Sequence, residues 1–354
     1  MTPAITGAAF GLGAAFLFGI STPLAKMLLQ ESHPLLIAGL LYLGAGLGLF
    51  AFEFFRGSST RNIEPRRETP LRFEDLGLIF GILVTGGILG PVLMLYGLQR
   101  LSAVPASLLL NLEAPLTVLL AVTFFGEHLG RREAVAIFLI VTGAGVLGYS
   151  PGAMEADWVG AGAIAVACLF WAIDNNLTQR LSLRDPITIV RFKTLTAGTC
   201  TLALAIVFGQ KLPSPSILMY ALALGFVSYG VSVVLDAYAL RMLGAAREAA
   251  YFATAPFIGA VTSIPLLGER WHSADVWASG IMGVGVLLLL SEHHSHVHIH
   301  EEMEHDHSHV HSDHHDHQND EHVNTGEPHA HLHRHLPLAH DHPHLPELHH
   351  RHRH

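Results

Sequence analysis

The sequence predicts an all-α integral membrane protein with ten transmembrane helices, arranged as two inverted five-helix repeats and followed by a disordered C-terminal tail. Half of its 354 residues are hydrophobic and only 14% are charged, whereas an ordinary soluble domain carries about 25% charged residues. Apolar runs of bilayer-spanning length recur as far as Leu290. A shared pattern in the two halves and a histidine-rich end complete the prediction.

Ten apolar segments precede the tail, each close to the ~20 residues that cross a bilayer as a helix. The first segment lacks the basic residues with which a signal peptide begins, and its apolar run is longer than the hydrophobic region of a signal peptide. It is therefore predicted to span the membrane. The segments are Thr6–Leu29, Leu35–Phe55, Leu76–Gln99, Val104–Phe125, Ala134–Tyr149, Val159–Arg180, Ile187–Phe208, Ser216–Leu240, Ala245–Leu267 and Val276–Leu290.

The arginines predict the orientation. The long connection between the second and third segments is rich in arginine and therefore cytoplasmic by the positive-inside rule. With ten spans both termini are then cytoplasmic as well, and short loops without targeting segments favour a plasma (inner) membrane of bacterial type. The arginines concerned are Arg56, Arg61, Arg66, Arg67 and Arg72.

Two stretches of the chain are similar to each other. YGLQRLSAVPASLLLNLEAPLTVLLAVTFFGE, from Tyr96 to Glu127, runs parallel to YALRMLGAAREAAYFATAPFIGAVTSIPLLGE, from Tyr238 to Glu269. Because each half holds an odd number of helices, the second copy must be inserted upside down, as in many secondary transporters. The predicted units are residues 1–150 and 151–291 for the repeats and 292–354 for the tail.

These motifs resemble the drug/metabolite transporter superfamily, and its EamA family in particular. The resemblance rests on an Ala-Pro pair within the fourth helix of each half and on a Gly-Glu pair at its end. It covers Thr6 to about Leu290. It implies a ten-helix carrier of small metabolites, with the first four helices of each half around a central cavity. The second copy has Thr254 near the place where the first has Glu113.

Other classes of function find little support. Cys168 and Cys200 lie in apolar runs and indicate neither a disulfide framework nor a cysteine metal site. The chain before Glu292 has 17 acidic and 17 basic residues, so no nucleic-acid surface is indicated. In HEEMEH, His300 to His305, the spacing does not place both histidines on one helix face, and no enzyme is predicted. No cofactor is required.

Ionisable residues within the spans are candidates for function, because each costs at least ~3 kcal/mol near the bilayer centre. Glu113 lies near the middle of the fourth span with Asn111 close by, and Pro115 frees backbone carbonyls beside them. We predict a substrate site here, with Glu113 able to exchange a proton. The alternative is a neutral acid that only packs against another helix.

A second group of polar residues is predicted in the later spans. Its charged members lie at one depth, in the cytoplasmic third, so opposite charges should pair. Asp174, Asn175, Arg191 and Lys193 are assigned to the substrate path, and Asp236 and Glu248 to an inner gate; the alternative is a static ion-pair network. Lys26 is expected to extend to the headgroups.

Glycines recur in the third, fifth and tenth spans, where they allow helices to approach closely. Gly143, Gly145 and Gly148 in the fifth span and Gly280, Gly283 and Gly285 in the tenth are read as packing residues. The same set is compatible with the face of a homodimer.

The tail from His293 onward holds 24 of the 27 histidines. It lacks apolar periodicity, so we expect it to be disordered without a ligand. Alternate residues of an extended chain share a face, and neutral imidazole binds zinc, nickel, cobalt or copper. Sensing of pH is the alternative. The candidate ligands are His293, His294, His296, His298, His300, His305, His307, His309, His311, His314, His315 and His317.

Three functions remain open at this stage. The first is a permease that moves a small-molecule substrate across the lipid bilayer by alternating access, with a metal-binding tail. The second is a carrier or exporter of divalent metal, to which the tail delivers its cargo. The third is a membrane-anchored metal sensor that transports nothing.

Overall fold

The computed structural model describes residues 3–59, 73–125, 129–149, 157–181, 186–243, 248, 251–290, 294–299, 303–309, 329–335 and 339–344. The arginine-rich loop, Glu127 and six of the candidate histidines lie outside these residues: His293, His300, His311, His314, His315 and His317.

Within the described part of the chain we group the helices as α1 to α10 in the order of the predicted segments; the ninth begins at Ala255 rather than at the predicted Ala245. Several are built from consecutive pieces. The bounds are α1 Pro3–Gly19 and Ser21–Leu29; α2 Pro34–Ser59; α3 Phe73–Asp75, Leu76–Ile82, Leu83–Leu89 and Gly90–Arg100; α4 Ala103–Leu109, Leu110–Leu112 and Glu113–Phe125; α5 Arg131–Tyr149; α6 Trp158–Gln179; α7 Pro186–Val207; α8 Pro215–Gly225, Phe226–Val231 and Ser232–Leu243; α9 Ala255–Leu267; α10 Ser273–Leu290.

The membrane character of these helices is clear from their length and surface. Seven of them, within the described residues, are long and apolar enough to cross a bilayer, and α9 and α10 are apolar but shorter. Large apolar side chains such as Phe138, Phe208 and Trp277 are about 70% exposed, as expected for a face turned to lipid rather than water. That all ten helices span stays a prediction.

The two halves repeat the same helical irregularities. Leu83–Leu89 in α3 and Phe226–Val231 in α8 are both π-helical, and the offset that aligns Tyr96 with Tyr238 also aligns Leu89 with Val231. π-Helical turns inside α-helices often mark functional sites. The end of α9 meets the start of α4, so these equivalent helices are antiparallel, as inverted repeats require.

Both Ala-Pro pairs coincide with a break in their helix. In α4 a 3₁₀ turn at Leu110–Leu112 precedes Glu113, and the Cys168 thiol of α6 lies 3.7 and 3.8 Å from the carbonyl oxygens of Leu109 and Leu110. Before α9 the Thr254 hydroxyl donates to the Tyr251 carbonyl at 2.7 Å. Proline cannot donate a backbone hydrogen bond, and at both breaks a side chain bonds to a backbone carbonyl near the proline.

Glycines bring helices from the two halves together. A Cβ on Gly39 of α2 would lie 2.7 Å from the backbone nitrogen of Leu202 in α7, and one on Gly143 of α5 would lie 2.5 Å from Cγ of Met282 in α10. These glycines therefore pack within one chain. Gly145 and Gly283 have no described atom within 4 Å of such a Cβ, and a homodimer through this face stays a prediction.

Four short strands lie in the tail, whereas the sequence predicts disorder for these segments. They are β1 His294–Ile299, β2 Met303–His309, β3 His329–His335 and β4 Ala339–His344, with β1 antiparallel to β4 and β2 antiparallel to β3. The physical reason is the alternation of the sequence, which suits extended pairing even without an apolar core. The register sets histidine opposite histidine, for example His296 opposite His342.

Candidate functional site

Glu113 joins the two halves at the break in α4. Its Oε1 accepts a hydrogen bond of 2.8 Å from Nδ2 of Asn175 in α6. Glu113 is the first residue of the third piece of α4, and the Thr117 hydroxyl donates a hydrogen bond of 2.9 Å to the Glu113 carbonyl. Two residues predicted for the substrate path thus meet across the interface between repeats.

Asp174 and Lys193 form a buried ion pair beside this contact. Nζ of Lys193 lies 2.5 Å from Oδ2 of Asp174, and the side chains are 13% and 8% exposed. The pairing of opposite charges at one depth is therefore found for these two. The Asp174 carboxylate lies against Gly86, where a Cβ would collide with it, and Oδ1 has no hydrogen-bond partner among the described residues.

The π-helical turn of α3 creates this contact. A residue with a side chain at position 86 would displace the carboxylate, so Gly86 is required by close approach rather than by backbone conformation. The Gly86 carbonyl accepts a hydrogen bond of 2.8 Å from the hydroxyl of Tyr42 in α2. The turn thereby connects α2, α3 and α6 at the level of the ion pair.

Asp236 of α8 and Glu248 are neighbouring buried carboxyl groups that interact with each other. Both interact electrostatically with the central groups, Asp236 with Lys193 and Glu248 with Glu113. The predicted inner-gate residues thus adjoin the predicted substrate path.

Arg191 pairs outside this cluster, and its assignment to the substrate path stays a prediction. It forms an ion pair with Glu53 of α2, a residue that the sequence analysis did not single out. Residues two apart on a helix are rotated by about 200°, so Arg191 and Lys193 face different neighbours. A charged residue near the end of the second span is the signal that could have identified Glu53.

Asn111 contacts α10 rather than Glu113, and a substrate site that includes both residues stays a prediction. Its Nδ2 lies 3.3 Å from the Leu108 carbonyl and 3.9 Å from the sulfur of Met282 in α10. Asn111 and Glu113 are also two residues apart, so their side chains lie on different faces of α4. Asn111 is 2% exposed and faces the tenth helix rather than α6.

Lys26 does not extend to the headgroups as expected. Its ammonium donates hydrogen bonds to the backbone carbonyls of Leu98 at 2.7 Å, Leu101 at 2.6 Å and Gln99 at 3.2 Å. A cation at the C-terminal end of a helix satisfies its free carbonyls and its dipole. The ammonium therefore binds the end of α3.

An aromatic cluster adjoins the charged groups, and the sequence analysis did not identify it. Phe18 of α1 lies at its centre, with ring centroids 6.0 Å from Trp171, 5.6 Å from Tyr229 and 5.2 Å from Phe252. Tyr42 lies 5.6 Å from Tyr229. The cluster draws on α1, α2, α6 and α8 and on the chain before α9, and these side chains lie too far apart in sequence to form a visible pattern.

No metal site can be recognised in the described part of the chain, where no three histidine, cysteine or acidic side chains converge. Of the predicted tail ligands, His294, His296, His298, His305, His307 and His309 lie on β1 and β2. In the second pair of strands His305, His307 and His309 are opposite His333, His331 and His329. Metal binding by the tail stays a prediction.

Comparison with known proteins agrees with the geometry. The model of the EamA-like transporter family matches residues 5–149 and 158–291. An uncharacterized transporter of Methanothermobacter thermautotrophicus is 30% identical over 289 residues, which cover 78% of this chain and 83% of the relative. The uncharacterized inner membrane transporter YedA of Escherichia coli K12 is 24% identical over 286 residues, 80% of this chain and 89% of its own.

A solved structure shows the same fold. A chain titled "Crystal structure of protein" superposes with a TM-score of 0.59 at 18% sequence identity, covering 80% of this chain and 94% of that one.

Proposed function

This chain belongs to the EamA-like transporter family, and we propose that it carries a small organic solute across the plasma membrane by alternating access. It is a multi-pass membrane transporter. The observation that carries the proposal is the bond between Glu113 and Asn175, because it joins the two repeats where the fourth helix is broken. A substrate that replaces this bond couples its own binding to the relative motion of the halves.

The charges of the site favour a solute with a positive group. Glu113, Asp174, Asp236 and Glu248 supply four carboxyl groups, whereas Lys193 supplies one ammonium. Negative charge in a site shielded from water is expensive unless a cation or a proton compensates it. A bound ammonium group provides that compensation, and a proton replaces it when the solute leaves.

The aromatic cluster suits the remainder of such a solute. Ring faces attract cations and bury apolar surface. The cluster reaches the ion pair through Tyr42, whose hydroxyl donates to the Gly86 carbonyl beside the Asp174 carboxylate. We therefore assign the path to small amines that carry an apolar or aromatic body.

Transport of a matched pair of solutes tests the proposal. In proteoliposomes we expect counterflow of radiolabelled tryptamine to exceed that of N-acetyltryptamine, which keeps the ring but lacks the positive charge. Glu113→Gln should abolish the difference, and Glu31→Gln, which alters an exposed acid at the end of α1, should retain it. Equal counterflow of both solutes, or unchanged transport by Glu113→Gln, contradicts the assignment.

For the tail we propose divalent metal binding at the cytoplasmic face. The register that sets histidine opposite histidine in both strand pairs supports several exchangeable sites. Zinc, nickel, cobalt and copper all fit imidazole. The tail serves there as a store or regulator of a metabolite carrier, and delivery of the metal as cargo is the rival.

Full-length protein and a chain ending at Ser291 distinguish these roles. Zinc, nickel and cobalt flux into proteoliposomes is followed with an internal metal-sensitive dye, and retained metal is measured separately. Metal retained by the full-length chain without flux in either supports a store or regulator. Flux that weakens without the tail makes the metal the cargo, and absence of retention contradicts metal binding.

A further inference from the structure

One end of the helix bundle is held together by groups from both halves. It is the end opposite to the one where α2 ends and α3 starts. There α1, α3 and α9 finish and α4 starts, and we call it the outer end. Gly268, directly after α9, adopts the left-handed backbone conformation with φ 68°, which glycine adopts readily. The chain turns there, and Glu269 follows.

Both oxygens of the Glu269 carboxylate bind the start of α4. Oε1 accepts from the backbone nitrogen of Ala103 at 2.7 Å, and Oε2 accepts from that of Val104 at 2.9 Å. The first backbone N–H groups of a helix have no partner within it, and the residue before α4, Ser102, makes no side-chain capping bond. The first half therefore receives its helix cap from the second half.

Lys26 holds the other side of the same turn. Its hydrogen bonds to Leu98 and Leu101 occupy the carbonyls at the end of α3. The two-residue turn between α3 and α4 thus lies between an ammonium from α1 and a carboxylate from the end of α9. These two charges also attract each other.

Below these bonds the same helices are in close contact. A Cβ on Gly259 of α9 would lie 2.8 Å from Oγ of Ser107 in α4 and 3.0 Å from the Gly19 carbonyl oxygen of α1. A Cβ on Gly19 would in turn lie 2.5 Å from the carbonyl oxygen of Ala255. No side chain separates α1, α4 and α9 at these points, so the three helices are in direct contact below the outer end.

We propose that Glu269, positioned by Lys26, is the latch that keeps the outer end closed, a role that rests on the alternating-access function proposed above. Opening this end requires α9 to move away from α1 and α4. Such a movement breaks both bonds of the Glu269 carboxylate while leaving the bonds between Lys26 and α3 within the first half. The latch thus sets how often the outer end opens.

Labelling of a cysteine behind the latch tests this role without any substrate. Ser107→Cys, in a Cys200→Ser background, places a thiol at a fully buried position of α4. A membrane-impermeant maleimide is added from the outer side. We expect Glu269→Gln, whose single amide oxygen cannot bind both N–H groups, to raise the labelling rate at least tenfold, and Glu31→Gln to leave it unchanged.

Controls separate an opened gate from an unfolded protein. Ala239→Cys, fully buried in α8 against Gly11 at the opposite end, should stay unlabelled by maleimide added on its own side. Lys26→Met should raise labelling of Ser107→Cys less than Glu269→Gln does, and Lys211→Met, at an exposed lysine, should have no effect.

The labelling results distinguish a failure of the latch from a failure of the proposed substrate. An unchanged labelling rate in Glu269→Gln overturns the latch, and so does equal exposure of both reporter cysteines, since that indicates general unfolding. A raised rate at Ser107→Cys alone supports the latch even if tryptamine is not transported. In that event the proposed substrate fails and the gate remains.

Discussion

Removal of the Lys193 ammonium is the sharpest test of the central cluster. Lys193→Met keeps the unbranched apolar stem of the side chain and removes its ammonium. The Asp174 carboxylate, at 8% exposure and against Gly86, is then left with neither oxygen bonded to a cation. Breaking a buried ion pair by removing one partner costs about 3–5 kcal/mol, because the remaining charge is uncompensated. About 1.4 kcal/mol corresponds to a tenfold change, so the unfolding equilibrium should shift by two to three and a half orders of magnitude.

The double variant Asp174→Asn with Lys193→Met removes both charges and should recover most of that loss. We would measure unfolding of the purified protein in mixed micelles of rising sodium dodecyl sulfate content, and derive the coupling energy from the two single variants and the double variant. A single-variant cost below about 1 kcal/mol with no coupling would refute a buried pair, since surface pairs contribute that little.

Three further predictions follow from other parts of the molecule. Gly86→Ala should destabilise the fold by about 1–3 kcal/mol through overpacking, measured in the same micelles, whereas Gly145→Ala, which meets no described atom within 4 Å, should have little effect. The hydrogen bond from the Arg100 guanidinium lowers the pKa of Asp157 below its ordinary 3.8. The stability that this bond contributes should be complete above pH 3.8 and lost as the pH falls through the lowered pKa. The melting temperatures of the wild type and of Arg100→Gln should therefore converge on acidification. A chain ending at Ser291 should melt as the full-length protein does when metal is absent, because α1 to α10 do not depend on the tail; a large loss of stability would contradict that independence.

The positions of the helices could be predicted from the sequence because they depend on local properties. A run of about 20 apolar residues has few alternatives to a helix in a bilayer. The similarity of Tyr96–Glu127 to Tyr238–Glu269 predicted the two inverted halves. The register of the two π-helical turns was not predicted, although the same alignment relates them. The hydrophobic pattern does not reveal such irregularities, because a single π-helical turn leaves the period of the side chains almost unchanged.

The partners of the polar residues could not be predicted in the same way. Closeness in sequence suggested that Asn111 belongs with Glu113 and Arg191 with Lys193, yet each pair diverges by two positions on a helix and contacts different neighbours. Depth in the membrane predicted contacts better, because Lys193 and Asp174 were expected at the same depth and do form an ion pair. Depth alone leaves open which side of a helix meets which neighbour.

The sequence by itself determined the class of protein, its helices, its repeat and the group of ionisable residues within it, because each follows from composition and spacing along the chain. Only the tertiary structure decided that Asn175 binds Glu113, that Arg191 pairs with Glu53, and that Glu269 binds the start of α4. Each of these contacts joins residues from distant parts of the sequence. Their geometry follows from how helices of opposite halves pack, and close approach at glycines sets that packing as much as the polar residues do.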